Sequence, residues 1–190
     1  MKEIGSKPSP EEAVALFHSK DWRNIDADQV TLAIILSACT KLRDLELGKD
    51  IHCYMQEKGF ELSITLSNSL MNIYVKCGQI DLARLLFDGM PKKDLISWNV
   101  MIFGCIENGH MEEGLQLLCE MKARNIGVNE ATFFSIISTC ERADLALEIH
   151  GNIWETGFES HVSICNALVD THSRIGNVDM GRIIFDEMPK

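Results

Sequence analysis

Asparagine is a poor helix former whose side chain carries both a hydrogen-bond donor and an acceptor. It recurs in one register, as Asn68, Asn99 and Asn166, inside otherwise apolar periodic segments. A two-way polar side chain repeated in phase can face the edge of a planar, hydrogen-bonding ligand. The plainer alternative is a polar residue on a solvated helix face. A second series is cationic: Lys41, Lys76, Arg142 and Arg174, with Glu107 interrupting, follow at spacings of 35, 31, 35 and 32 residues. Stacked in step, they would form a ladder of positive charge along which a polyanion could run. Basic residues at a helix C-terminus also complement the macrodipole, so the pattern has a purely structural reading. Asp28, Asp94 and Asn129 stand where helix N-caps belong.

Catalytic and metal-binding constellations are weak by comparison. His110-Met111-Glu112 copies the H-x-E of zinc deaminases, but no P-C-x-x-C follows. His161 and Cys165 are four apart, and two ligands do not make a metal site. Ser, His and Asp are plentiful without a nucleophile elbow. The expectation is no enzyme, no metal and no cofactor. Seven cysteines, none in a C-x-x-C pair, fit neither a disulfide framework nor a zinc site. Cys39, Cys105, Cys140 and Cys165 lie in apolar stretches, where a free thiol packs as a small hydrophobe.

The elements that must position these residues follow from the chain's 190 residues, 46% of them hydrophobic. That is one folded unit's worth of apolar material, and no run approaches the ~18 residues that would span a bilayer. No membrane association is expected. The N-terminal MKEIGSKPSPEEAV lacks a secretion signal's apolar core and a transit peptide's long Arg/Ser-rich stretch. This reads either as a cytosolic chain or as a fragment whose targeting segment is missing. With 28 acidic against 18 basic residues the net charge is -10, which argues against nucleic acid unless charge is locally segregated.

The chain repeats itself. Residues 64–92 align over 162–190 at an offset of 98 without a gap, and ten of the 29 positions are identical. Unrelated segments of that length would agree at roughly two. Ile51-His52 and Gly59-Phe60 recur at the same offset as Ile149-His150 and Gly157-Phe158. Thr31, Ser37 and Cys39 recur at offset 101 as Thr132, Ser138 and Cys140. Each sub-unit reads as two helices: Leu32, Ile35, Leu36 and Cys39 form an amphipathic stripe, and Leu82, Leu85, Leu86 and Met90 a second. Gly48, Gly78, Gly109 and Gly176 lie near turns or in short helices, and Pro91 and Pro189 stop theirs. The expected boundaries are a linker at 1–9, a leftover second helix in 10–28, and repeats 29–63, 64–94, 95–129, 130–161 and 162–190, the last incomplete. A single helix pair cannot bury its own stripe, so the fold expected is an all-α, right-handed α-solenoid of helix-turn-helix repeats.

SNSLMNIYVKCGQIDLARLLFDGMPKKDLISWNVMIFG and CNALVDTHSRIGNVDMGRIIFDEMP resemble the short and standard repeats of plant pentatricopeptide repeat proteins. Segments 29–63 and 130–161 resemble the long variant, with its -GF- ending and -IH-. The long, short, standard order is that of the subclass associated with organellar RNA editing. The resemblance implies one base of single-stranded RNA per repeat, read by the fifth residue of the first helix and the last residue of the repeat. It assigns Asn68 with Asp94 to uridine and Asn99 with Asn129 to a pyrimidine, usually cytidine. Asn166 would face another pyrimidine, while Ala33 with Ser63 and Phe134 with His161 match no firm rule. The base-stacking second position falls on Val30, Thr65, Ile96, Ala131 and Ser163, of which Val30 and Ile96 are suited. Lys41, Lys76, Arg142 and Arg174 would meet phosphates. Implied with these are RNA processing such as C-to-U editing, a mitochondrial or chloroplast location, and editing-complex partner proteins. The rival readings are a helical-repeat scaffold for proteins, favoured by the acidity, and a fragment without independent activity. Without visible polar caps at the ends, self-association through them is expected.

Overall fold

The computed structural model describes residues 27–188. Among these are ten helices: α1 Gln29–Leu42, α2 Leu45–Glu57, α3 Ile64–Lys76, α4 Ile80–Gly89, α5 Leu95–Glu107, α6 Met111–Ala123, α7 Glu130–Thr139, α8 Ala143–Glu155, α9 Val162–Arg174 and α10 Val178–Glu187. No strand occurs among the described residues. The leftover helix expected before position 27, and Pro189, lie outside them. The chain forms two compact units that divide between Val100 and Met101.

In unit 1, α3 packs against α1, α2 and α4. Leu32, Ile35, Leu36 and Cys39 are all buried, as the α1 stripe requires. The stripe of α4 differs from expectation. Leu85 is 71% exposed and Met90 follows the helix end, so Ala83 and Phe87 carry the burial. Phe87 is held by Trp98, whose ring meets it edge-on at 5.0 Å. In unit 2, α9 plays the part of α3, packing against α7, α8 and α10. The four cysteines in apolar stretches are buried, and burial pushes the Cys39 thiol up to about 12.

The short turns have one construction. After α3, Gly78 takes φ 73° and its N–H donates to the Val75 carbonyl, while Gln79 donates to Tyr74. After α9, Gly176 takes φ 83° and Asn177 donates to His172 in the same way. These are Schellman closures, in which a left-handed residue satisfies the last carbonyls and lets the chain reverse. The -GF- endings are the same motif: Phe60 donates to Met55 and Phe158 to Ile153, and Phe158 packs 5.3 Å from the Phe133 ring.

Candidate nucleic-acid interface

The residues that precede the first helix of each pair do structural work. Asp28 Oδ1 accepts from the Thr31 N–H at 2.8 Å, Ser63 Oγ from Leu66 at 3.3 Å, and Asn129 Oδ1 from Thr132 at 3.0 Å. Asp94 caps α5 by accepting from the Ser97 N–H at 2.8 Å, and its own N–H donates to Ser97 Oγ at 3.2 Å. That reciprocal pair is a capping box with serine in the usual glutamate place. His161 makes no side-chain cap at α9 and instead pairs with Glu130 at 3.4 Å.

Asn68 and Asp94 come together. Asn68 Nδ2 donates to Asp94 Oδ1 at 3.2 Å, joining the fifth residue of α3 to the cap of α5 within unit 1. Asn68 is only 8% exposed, so it does not sit on a solvated face, and its Oδ1 is buried without a hydrogen-bond partner. Desolvation pushes the Asp94 carboxyl up. Hydrogen bonds from Ser97, then Asn68 and the Ile96 backbone, outweigh it and leave the group below the ordinary aspartate value. Asn99 is half-buried and Asn166 is exposed.

The second residue of each first helix is exposed: Val30, Thr65, Ile96, Ala131 and Ser163. Apolar Val30 and Ile96, at 66% and 60%, offer flat surface to a ligand from the first turn of α1 and α5. Between α1 and α3 runs a groove of about 610 Å³, lined by Val30, Ala33, Ile34, Lys41, Ser63 and Thr65 among others. It brings together an apolar stacking residue, the fifth and last residues of the 29–63 segment and a cation.

The cations divide. Lys41, Lys76 and Arg174 lie in the last turns of α1, α3 and α9, where the macrodipole also favours them. Arg174 reaches the Ser138 carbonyl at 3.5 Å. Arg142 does not fit that account. Because α7 stops at Thr139, Arg142 immediately precedes α8, where the dipole does not favour a cation. It is held instead by carboxylates: Nε and Nη2 donate to Asp144 at 3.2 and 2.6 Å, and Nη1 to Glu112. These bonds hold the Asp144 carboxyl below its usual value. Glu112, half of the H-x-E match, is thus a structural ion-pair partner. Cys165, half of the other two-ligand match, donates its thiol to the Glu159 carbonyl at 3.1 Å.

Ser97 and Thr132 escaped the sequence reading. Their signal was present as a hydroxyl three residues beyond each cap, D-x-x-S at 94 and N-x-x-T at 129. The pairing of His150 with His172, rings 5.8 Å apart, also escaped it, although both lie at the 98-residue offset from His52 and Tyr74.

Comparison with known proteins bears on what this surface is. Family models match along the chain: a pentatricopeptide repeat domain over 15–77, the PPR repeat over 66–95 and 163–190, and the PPR repeat family over 93–142. A chloroplastic pentatricopeptide repeat-containing protein of Arabidopsis thaliana is 37% identical over 95% of this chain and 21% of its own length. A mitochondrial one from the same plant is 32% identical over 94% of this chain and 29% of its own. The chain therefore spans under a third of the length of either relative. The crystal structure of the pentatricopeptide repeat protein PPR10 from maize superposes with a TM-score of 0.75 at 20% identity, covering 93% of this chain and 26% of that one. PPR10 in complex with an 18-nt psaJ RNA element gives 0.70 at 20% identity, over 92% and 27%. The fold is the helical-repeat solenoid of those structures, and the chain is built from pentatricopeptide repeats.

Proposed function

We propose that the chain binds single-stranded RNA in a sequence-dependent way, with each of the repeats 29–63, 64–94, 95–129, 130–161 and 162–190 meeting about one base. The observation that carries this reading is the Asn68–Asp94 pair. The two residues that the family resemblance assigns to one base are 26 positions apart, yet they are hydrogen-bonded neighbours. Asn68 is thereby tied to the carboxylate that would accept from a donor on the base edge. Val30 and Ile96 would stack on base faces, and Lys41, Lys76 and Arg174 would neutralise phosphates; Arg142 would do so only by exchanging its carboxylate partners. Asn99 with Asn129, and Asn166, would read further pyrimidines. A complex of PPR10 with RNA and organellar names among the relatives support the class and the setting. The finer reading is a long, short, standard repeat protein of the mitochondrion or chloroplast that acts without catalysis of its own in RNA processing such as C-to-U editing.

The test is fluorescence anisotropy with pyrimidine-containing single strands across a salt series. Affinity should fall as salt rises and should be absent for duplex. Asn129→Asp should move preference at one position from cytidine towards uridine. An unchanged base profile would count against reading at that position. A second reading, a scaffold for proteins, draws on the net charge of -10 and on exposed Ile34 in the α1/α3 groove. Capture of proteins without RNA by a chain that fails the anisotropy test would favour it.

A further inference from the structure

Asn129 uses one end of its amide for the helix. Its Oδ1 receives the Thr132 N–H at 3.0 Å and the Thr132 hydroxyl at 2.9 Å. A carbonyl oxygen has two lone pairs, so both are taken, and an N–H cannot bond to an NH2 group. The amide orientation is therefore fixed with its two N–H donors directed away from the cap. Asp94 is treated in parallel. Its Oδ1 receives the Ser97 N–H at 2.8 Å, the Ser97 hydroxyl at 2.8 Å and Asn68 Nδ2 at 3.2 Å. One carboxylate oxygen is saturated, and the Ile96 backbone also bonds the carboxylate, whose remaining capacity can meet a ligand as an acceptor only. Ser97 is fully buried and Thr132 is 2% exposed, so neither hydroxyl contacts a ligand itself. Asp28 and Thr31 repeat the pairing before α1, whereas two junctions lack it: the third helix residue is Leu66 after Ser63 and Ile164 after His161.

We propose that Ser97 and Thr132 are positioning residues whose hydroxyls lock the rotamers in which Asp94 presents an acceptor and Asn129 a donor. The inference rests on the RNA reading above and deepens it. Asp94 then demands a base whose edge carries a donor, and Asn129 one whose edge carries an acceptor. Uracil meets the first requirement with its imino N–H at the centre of the edge, where cytosine offers an acceptor and keeps its donor on the exocyclic amino group. Both pyrimidines meet the second. Ordinary capping needs only the backbone N–H and gives the hydroxyls no influence on base choice.

The experiment uses the whole chain and a set of single-stranded RNAs in which each pyrimidine is changed in turn. Ser97→Ala should reduce the uridine-to-cytidine affinity ratio at the base facing Asp94 roughly fivefold, the worth of about one hydrogen bond. Ser97→Thr should keep the ratio, and the base facing Asn129 should be unaffected by either. Thr132→Val should weaken discrimination only at its own position. Should Ser97→Ala not fold, the unaltered chain decides. A pyrimidin-2-one nucleotide, which has acceptors and no donor on its pairing edge, should bind at least about tenfold worse than uridine opposite Asp94. Opposite Asn129 it should bind within about threefold of cytidine. Equal tolerance at both places, or an unchanged ratio in folded Ser97→Ala, would overturn the proposal and leave RNA reading intact. Failure of the unaltered chain to bind any single strand would sink both.

Discussion

In unit 1, His52 Nδ1 and the Tyr74 hydroxyl are 2.8 Å apart and hydrogen-bonded. Ninety-eight residues on, unit 2 holds His150 and His172 in the same two places. Their rings meet edge to face at 5.8 Å, Trp154 lies 4.2 Å from His150, and neither nitrogen of His172 has a hydrogen-bond partner although the residue is fully buried. Phenylalanine shows a second divergence. Phe87 is 3% exposed beneath Trp98, whereas its duplicate Phe185 is 64% exposed. Duplication conserved the backbone plan, and local neighbours decided what each copied residue does. The same letter is a core anchor in one copy and surface in the other.

The largest expected effect tests that claim on the phenylalanines. Phe87→Ala should cost about 3–5 kcal/mol in urea unfolding, because it opens a cavity under Trp98. Phe185→Ala should stay within about 0.5 kcal/mol, as surface changes do. Equal losses would mean that the exposure difference does not hold in solution.

The histidines come next, through pH. Burial, and for His172 also the neighbouring His150, holds both below the ordinary histidine value, while Glu187 pulls His150 the other way. The unfolded chain takes up protons near pH ~6.5 that folded unit 2 refuses. The stabilising contribution of the neutral pair is therefore complete above that pH and is lost as pH falls below it. His172→Tyr should flatten the loss between about pH 7 and 5 and add roughly 1 kcal/mol by restoring a partner to the pair. Tyr74→His should bring acid sensitivity into unit 1, beyond what half-buried His52 already contributes. Urea midpoints measured across that range decide the matter, and parallel pH profiles for the three chains would refute it.

The smallest effect separates the cations. Lys41→Glu should weaken RNA binding for all sequences and flatten its salt slope by about one unit. Arg142→Glu should do less to the slope, since the arginine is already committed to Asp144 and Glu112. Equal slope changes would return Arg142 to the phosphate ladder.

Periodicity made much of the fold legible. The first helices of the five pairs start at Gln29, Ile64, Leu95, Glu130 and Val162, where in-phase apolar stripes begin, four of them behind a capping side chain. Leu85 was misread because a 3.6-residue period marks a face without saying whether a neighbour covers it. Caps were visible at Asp28, Asp94 and Asn129 because they need only local chain geometry. The Asn68–Asp94 bond and the His150–His172 contact were not, since both join separate helices and depend on side-chain rotation. Arg142 was misplaced because α7 is three residues shorter than α3, α5 and α9.

The cap at position 94 also limits how such a chain changes its target. On the proposed reading a residue there must end one repeat, begin a helix and face a base, and the middle task admits few side chains: aspartate, asparagine, serine, threonine. Its usable alphabet is consequently about as small as that of the nucleotides it would read. Retargeting within that set keeps the helix start, whereas an apolar replacement would fray α5 before any base was misread.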